Sequence, residues 1–240
     1  MGGGSGGRDA AGRLQHGGRW VYADDWPLPG TTTQAWHLHA DGRLDPATSS
    51  EPDAALEYSY NPAQRVPTIG GTITSAEQIM LPGAFDQRDD ARFFGCDGTG
   101  RDLGERDDVL SFRSAPLEQD VEIAGVIRAS LFVSSDCVDT DITIKLIDEY
   151  PPSADDPQGF AMNLSDGILR LRYRESWEQA QMLVPGQVVQ IEVEAFATAN
   201  HFARGHRIRL DVASSNYPHF ELNPNTDAEP GRGRHARMAR

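Results

Sequence analysis

The sequence predicts an all-β fold, most simply a sandwich of two antiparallel sheets. Three observations carry this. Apolar residues alternate with polar ones at period 2 in five separate runs, all in the second half of the chain. Prolines and glycines at Pro151-Pro152, Pro185-Gly186 and Gly205 separate those runs. No segment keeps a 3.6-residue period over three turns.

Taken in order, residues 1–19 form a Gly/Arg-rich polar segment without either period. Trp20 to Pro29 is aromatic, and Pro27 and Pro29 forbid a helix interior. Ala35–Ala40 and Leu56–Tyr60 are short strand candidates, with turn chemistry over Asp41–Asp53 between them. Asn61–Gly71 carries two prolines and a double glycine and is a loop. Residues 72–107 are irregular and acidic, and a stretch this long without a period is functional or packed against something else. The clean signal starts at Asp108. Val121–Val133 reads as a strand pair or one long bent strand, with Val121, Ile123, Gly125, Ile127, Ala129, Leu131 and Val133 on one side and Gly125 a candidate bulge. Ile142, Ile144 and Leu146 repeat the alternation, then Leu169, Leu171 and Tyr173, then Val189 to Ala195, then Ile208, Leu210 and Val212. Arg170, Arg172 and Arg174 oppose the third run, and Arg207 and Arg209 the last. The simplest reading is a solvated arginine face with cross-strand partners such as Glu192 and Glu194. A docking surface for another domain is the sharper one, and a polyanion site, against which the net charge argues, the third.

Composition narrows the function. The chain has 240 residues and a net charge of −14, so general binding to phosphate backbones is disfavoured. No apolar run approaches the roughly 18 residues of a membrane-spanning helix, and no secretory h-region follows Met1. The expectation is a cytoplasmic protein without nucleic-acid or membrane partners. Cys96 and Cys137 lack metal-ligand spacing and are read as free thiols.

Sequence motifs with catalytic or binding chemistry are weak. Gly3-Gly4-Ser5-Gly6-Gly7 matches the nucleophile elbow G-x-S-x-G, and Gly2, Gly4 and Gly7 match G-x-G-x-x-G. Both motifs need a strand before the glycines, and the two residues preceding the elbow leave no room for one. His37 and His39 lack the following Glu of a cupin-type metal site. Asp136, Asp139 and Asp141 lack the Gly and bidentate Glu of a calcium loop. A triad from Ser214 or Ser215, Asp211 and His201, His206 or His219 has no elbow context. Trp20, Trp26, Trp36 and Trp177 suit aromatic packing under a loop; the competing use is a sugar-stacking platform. No catalytic, cofactor-binding or metal-binding residue is assigned to this chain.

Several stretches together carry a resemblance. They are Arg106-Asp107-Asp108-Val109-Leu110-Ser111-Phe112, Pro116-Leu117 with Asp120-Val121-Glu122 and Gly125, and Leu131-Phe132-Val133-Ser134-Ser135-Asp136. Asp139-Thr140-Asp141, Lys145-Leu146-Ile147-Asp148, Asp166-Gly167-Ile168-Leu169-Arg170 and Gly205-His206-Arg207-Ile208-Arg209 follow, then Ser214-Ser215-Asn216-Tyr217-Pro218 and Asn223-Pro224-Asn225-Thr226. The chain resembles the C-terminal non-catalytic jelly-roll domain of the X-Pro dipeptidyl-peptidase and cocaine-esterase-like (CocE/NonD) serine hydrolases. Gly18-Arg19-Trp20, Asp25-Trp26-Pro27-Leu28 and Val66-Pro67-Thr68-Ile69-Gly70-Gly71 fit the passage into that domain.

The resemblance implies a jelly-roll, galactose-binding-like sandwich over 31–240, truncated at its C-terminal end. Residues 1–30 would be an arm from a missing α/β-hydrolase domain. That partner domain would hold the Ser–Asp–His triad and act on small esters, amides or peptides. This chain would pack on it and shape its cleft, with the irregular segment Gly71–Gly95 facing it. A free-standing carbohydrate-binding module is the alternative.

Overall fold

The computed structural model describes residues 1–4, 8–12, 14, 16–51, 53–75, 79–229, 231–232 and 235–240. Ser5, Gly6 and Gly7 of the elbow-like motif lie outside the described residues. Nine strands are named among the described residues: β1 (Gly2–Gly3), β2 (His37–Leu38), β3 (Leu44–Asp45), β4 (Val109–Arg113), β5 (Val121–Val133), β6 (Asp141–Tyr150), β7 (Phe160–Arg170), β8 (Val189–Phe202) and β9 (Arg207–Ala213). The only helical pieces among them are three 3₁₀ turns, at Pro62–Gln64, Leu103–Glu105 and Leu171–Tyr173.

Seven of the nine strands form two layers, and β2 pairs with β3 in a separate two-stranded sheet. One sheet has the order β4-β9-β6-β7, and the other β1-β8-β5. Hydrophobic residues from both sheets meet in one cluster that includes Ile144, Leu146, Leu169, Ile191, Val193, Phe202 and Leu210. Burying each such side chain contributes roughly 1.5–3 kcal/mol, which makes this interlayer core the main adhesive of the sandwich. β5 and β8 pair antiparallel along their length, with a register shift between Gly125 and Ile127. The predicted bulge is therefore present. Gly125 has φ +139°, a backbone state that side chains resist.

Four readings change in the structure. Gly2 and Gly3 pair in parallel with Asn200 and His201 of β8, so a two-residue strand does precede Ser5. Such close backbone approach is open to glycine: a Cβ on Gly3 would stand 2.1 Å from the His201 carbonyl oxygen. Leu56–Tyr60 forms no strand; Tyr60 makes an isolated bridge to Ala239. The alternation at Leu169–Tyr173 is not one strand, because β7 ends at Arg170 and a 3₁₀ turn takes over. Both forms bury Leu169 and Leu171, which is why the pattern ran on through the junction. Finally, Trp20 and Trp26 are not packed under a loop but are 94% and 50% exposed; Trp36 alone of the first three packs against the core.

β6 is buried on both faces along most of its length. Its inner face belongs to the sandwich core. The outer face is covered by the Asn61–Gly71 loop and the irregular segment after it, whose Val66, Ile69, Phe85, Phe93 and Leu103 form a second cluster with Val109 and Ala213. The long aperiodic stretch is thus packed against its own sheet.

Candidate functional site

The layer between the outer face of the four-stranded sheet and this covering segment is polar. Strand register sets it out: Ser111 pairs with Asp211, Asp211 with Lys145, and Lys145 with Asp166. Directly opposed residues share a face, so the four make a row across the sheet. Arg209, two residues before Asp211, lies on that face too.

Arg209 is completely buried. Its guanidinium donates to both oxygens of Asp102 at 2.9 and 2.6 Å, and to both oxygens of Asp211 at 2.8 Å. Burial alone would raise the Asp102 carboxyl; the Arg209 hydrogen bonds and charge outweigh it and hold it below the ordinary range. Asp102 also caps the turn at Leu103–Glu105, accepting from Gly104 N at 2.7 Å. Gly104 is required there, since a Cβ would stand 2.2 Å from Arg209 Nη2. Gln87, also fully buried, donates to the carbonyls of Ile69 and Phe85 and accepts from Lys145 Nζ at 2.9 Å. Two small, partly open cavities flank Lys145.

The arginine face is an internal ion-pair system and not a solvated one. Arg172 is buried and donates Nε–H to Asp139 at 2.8 Å; Arg170 donates to Asp141 at 3.0 and 3.2 Å. Asn223 joins the two carboxylates by donating to Asp139 at 2.9 Å and Asp141 at 2.7 Å. Glu192 and Glu194, the cross-strand partners expected for these arginines, instead face Arg128 on the other sheet. Asp136 turns away from Asp139 and Asp141 and accepts from the Arg240 backbone. The three aspartates therefore do not converge on one point.

The triad candidates are also kept apart. The Ser214 hydroxyl lies 2.7 Å from Tyr58 OH, and the Ser215 hydroxyl accepts from Val66 N at 2.9 Å. His206 Nδ1 meets Asp148 at 2.8 Å, whereas His219 Nδ1 meets Asp166 at 3.2 Å. His201 lies between Asp120 and Glu122, and Asp211 is committed to Arg209 and Ser111. No serine is paired with a histidine in these contacts. His39 is buried with Nε2 3.1 Å from the Ala47 carbonyl, and His37 sits in β2. Cys96 and Cys137 are free thiols, both with raised pKa through burial.

Sequence reasoning missed Arg209, Asp102, Gln87 and Lys145 as a group. The one signal was Lys145, the sole lysine of the sequence, standing in a strongly apolar run.

Fold and site together define a β-sandwich module whose charged residues largely serve its own packing. Residues 4–239 match the family described as the X-Pro dipeptidyl-peptidase C-terminal non-catalytic domain, and the chain belongs to that family. It is 36% identical over 215 residues to a cocaine esterase of Rhodococcus sp. (strain MB1 Bresler), covering 86% of this chain and 34% of that protein. Among solved structures, an aminopeptidase from a marine sediment Thaumarchaeota archaeon superposes with a TM-score of 0.73 at 28% identity, over 97% of this chain and 36% of that one. An α-amino acid ester hydrolase superposes with a TM-score of 0.71 at 28% identity, over 95% and 36%. The chain spans about a third of the length of these relatives.

Proposed function

We propose that this chain is the accessory sandwich of a CocE/NonD-type serine hydrolase. In this reading it packs on an α/β-hydrolase domain and helps shape the cleft in which that domain hydrolyses small esters, amides or peptides. Residues 1–30 act as the arm toward that domain and 31–240 as the module. The chemistry, acylation of a serine followed by hydrolysis, belongs to the partner domain. The whole protein works in the cytoplasm.

One observation carries the reading. The covering segment is fixed from beneath by Phe85, Phe93 and Gln87, yet it turns Ile73, Ile79 and Phe94 outward at 45, 45 and 40% exposure. Apolar side chains held out from a well-anchored segment suit an interface. Trp20 and Tyr22, at 94 and 98% exposure, give the arm the same character.

Hydrogen–deuterium exchange tests it. Segment 71–95 should exchange measurably more slowly when an α/β-hydrolase domain is joined ahead of the chain than in the 240-residue chain alone. Equal protection in the two states refutes the assignment of this face. A saturable tryptophan fluorescence change with oligosaccharides would instead favour the carbohydrate-binding alternative, although no tryptophan lines either cavity.

A further inference from the structure

Lys145 stands out among the charged groups of the polar layer. Its Nζ makes one hydrogen bond, to Gln87 Oε1 at 2.9 Å, and among the described residues no carboxylate forms an ion pair with it. The two aspartates opposite it are engaged elsewhere. Asp211 serves Arg209 and Ser111, while Asp166 accepts from Asn216 at 2.7 Å and meets His219. A buried ammonium without a partner is costly, and the usual resolution is loss of the proton. Burial accordingly lowers the Lys145 pKa, despite the two carboxylates and with Arg209 adding to the fall.

Access is the second requirement. Lys145 lines both cavities and keeps a little accessible surface. The larger cavity combines it with Ile69, Leu164 and Phe196 on the apolar side and Thr72 and Thr198 on the polar side. Asp166 in the same wall disfavours anions. The chamber thus suits a small, uncharged, mildly polar molecule.

We infer that Lys145 is a nucleophilic amine that captures small uncharged aldehydes in this cavity as an imine. The nitrogen lone pair attacks the carbonyl carbon, and the carbonyl π pair moves onto oxygen. Transfer of one N–H proton to that oxygen gives the carbinolamine. The hydroxyl then leaves with the remaining N–H proton as water, and the C=N bond forms. Gln87 positions the nitrogen by holding one N–H, which directs the lone pair away from it and toward open space.

A single lysine makes the test unambiguous. The native 240-residue chain is treated at pH 7 with acetaldehyde and sodium cyanoborohydride, digested, and the N-ethyl group mapped by mass spectrometry. The same treatment of the chain unfolded in urea supplies the reference rate of an ordinary lysine. A lowered pKa raises the free-amine fraction at pH 7, so Lys145 should be labelled faster in the native chain than in the unfolded one. Equal or slower labelling in the native chain overturns the inference, whether protonation or access is the cause.

Discussion

Replacing Arg209 by Met keeps much of the side-chain volume and removes the guanidinium from between Asp102 and Asp211. Four charge-assisted hydrogen bonds of 2.6–2.9 Å disappear with it. What remains is two carboxylates, 6% and 7% exposed, facing each other without a cation between them. Removing one partner of a buried pair typically costs about 3–5 kcal/mol. Here one cation serves two anions, so the cost falls at or above the upper part of that range. Against a total stability of about 5–15 kcal/mol this is severe. At roughly 2–4 °C per kcal/mol for a chain of this size, the midpoint of thermal unfolding should fall by about 10–20 °C.

The pH dependence gives an independent check. In the native chain the Asp102 carboxyl is held low, so its contribution is complete above the unfolded pKa and is lost only as pH falls through the folded one. Without Arg209, its hydrogen bonds and charge no longer offset burial, although the Gly104 N–H bond and Arg113 remain, so the folded pKa rises above that of the native protein. The folded variant then takes up a proton at higher pH than the folded native protein does, so it gains stability relative to the native protein as pH falls from 7 toward 4. Calorimetry at pH 7.5 and pH 4.5 should therefore show a smaller gap at the lower pH. A gap below about 1 kcal/mol at pH 7.5, or one that widens on acidification, would refute the account of the buried layer.

Two further outcomes are expected. Burial pushes the Cys96 thiol up to about 12 and the Cys137 thiol up to about 11, with nearby aspartates adding to both. Native alkylation by iodoacetamide at pH 8 should therefore be slow and should accelerate at least about tenfold in urea, as followed by mass spectrometry. The 240-residue chain should show no hydrolysis of a p-nitrophenyl acyl ester that is abolished by Ser5→Ala, measured by p-nitrophenolate release.

The alternation of β5 was legible over Val121–Val133, because one face meets the core and the other meets solvent, and the structure resolves the choice between a strand pair and one bent strand in favour of one. Alternation then carries the whole message, and Gly125 marks its own interruption. The same rule misleads at β6 and β9. Lys145 and Arg209 alternate with apolar residues as solvated side chains do, yet a segment at 60–107 covers them. Nothing local in β9 announces that Asp102, more than a hundred positions earlier, will bind Arg209. Arg172 is a parallel case, its partner Asp139 and the bridging Asn223 arriving from two other parts of the chain. Trp20 and Trp26 fail in the opposite direction. Aromatic residues imply burial only if the folded chain supplies a surface to cover them, and the sandwich supplies none at that place.

These contrasts explain how a segment without periodicity acquires a fixed course. Residues 60–107 offer few repeating apolar positions, so hydrophobic burial alone would leave their register loose. Directional bonds set it instead. Asp102 accepts from Arg209, Gln87 Oε1 accepts from Lys145 Nζ at 2.9 Å, and Phe85 N donates to Asn163 Oδ1 at 2.9 Å. Each bond ties one point of the segment to one strand of the sheet, and a slip of a single residue would strand a buried charge or amide. Buried ion pairs are weak contributors to stability beside apolar packing of equal volume, but a mismatch among them is expensive. The layer therefore selects one arrangement of the cover over its neighbours in register. That selection fixes the course of the cover from Phe85 to Asp102, and with it the outward position of Phe94 between those anchors.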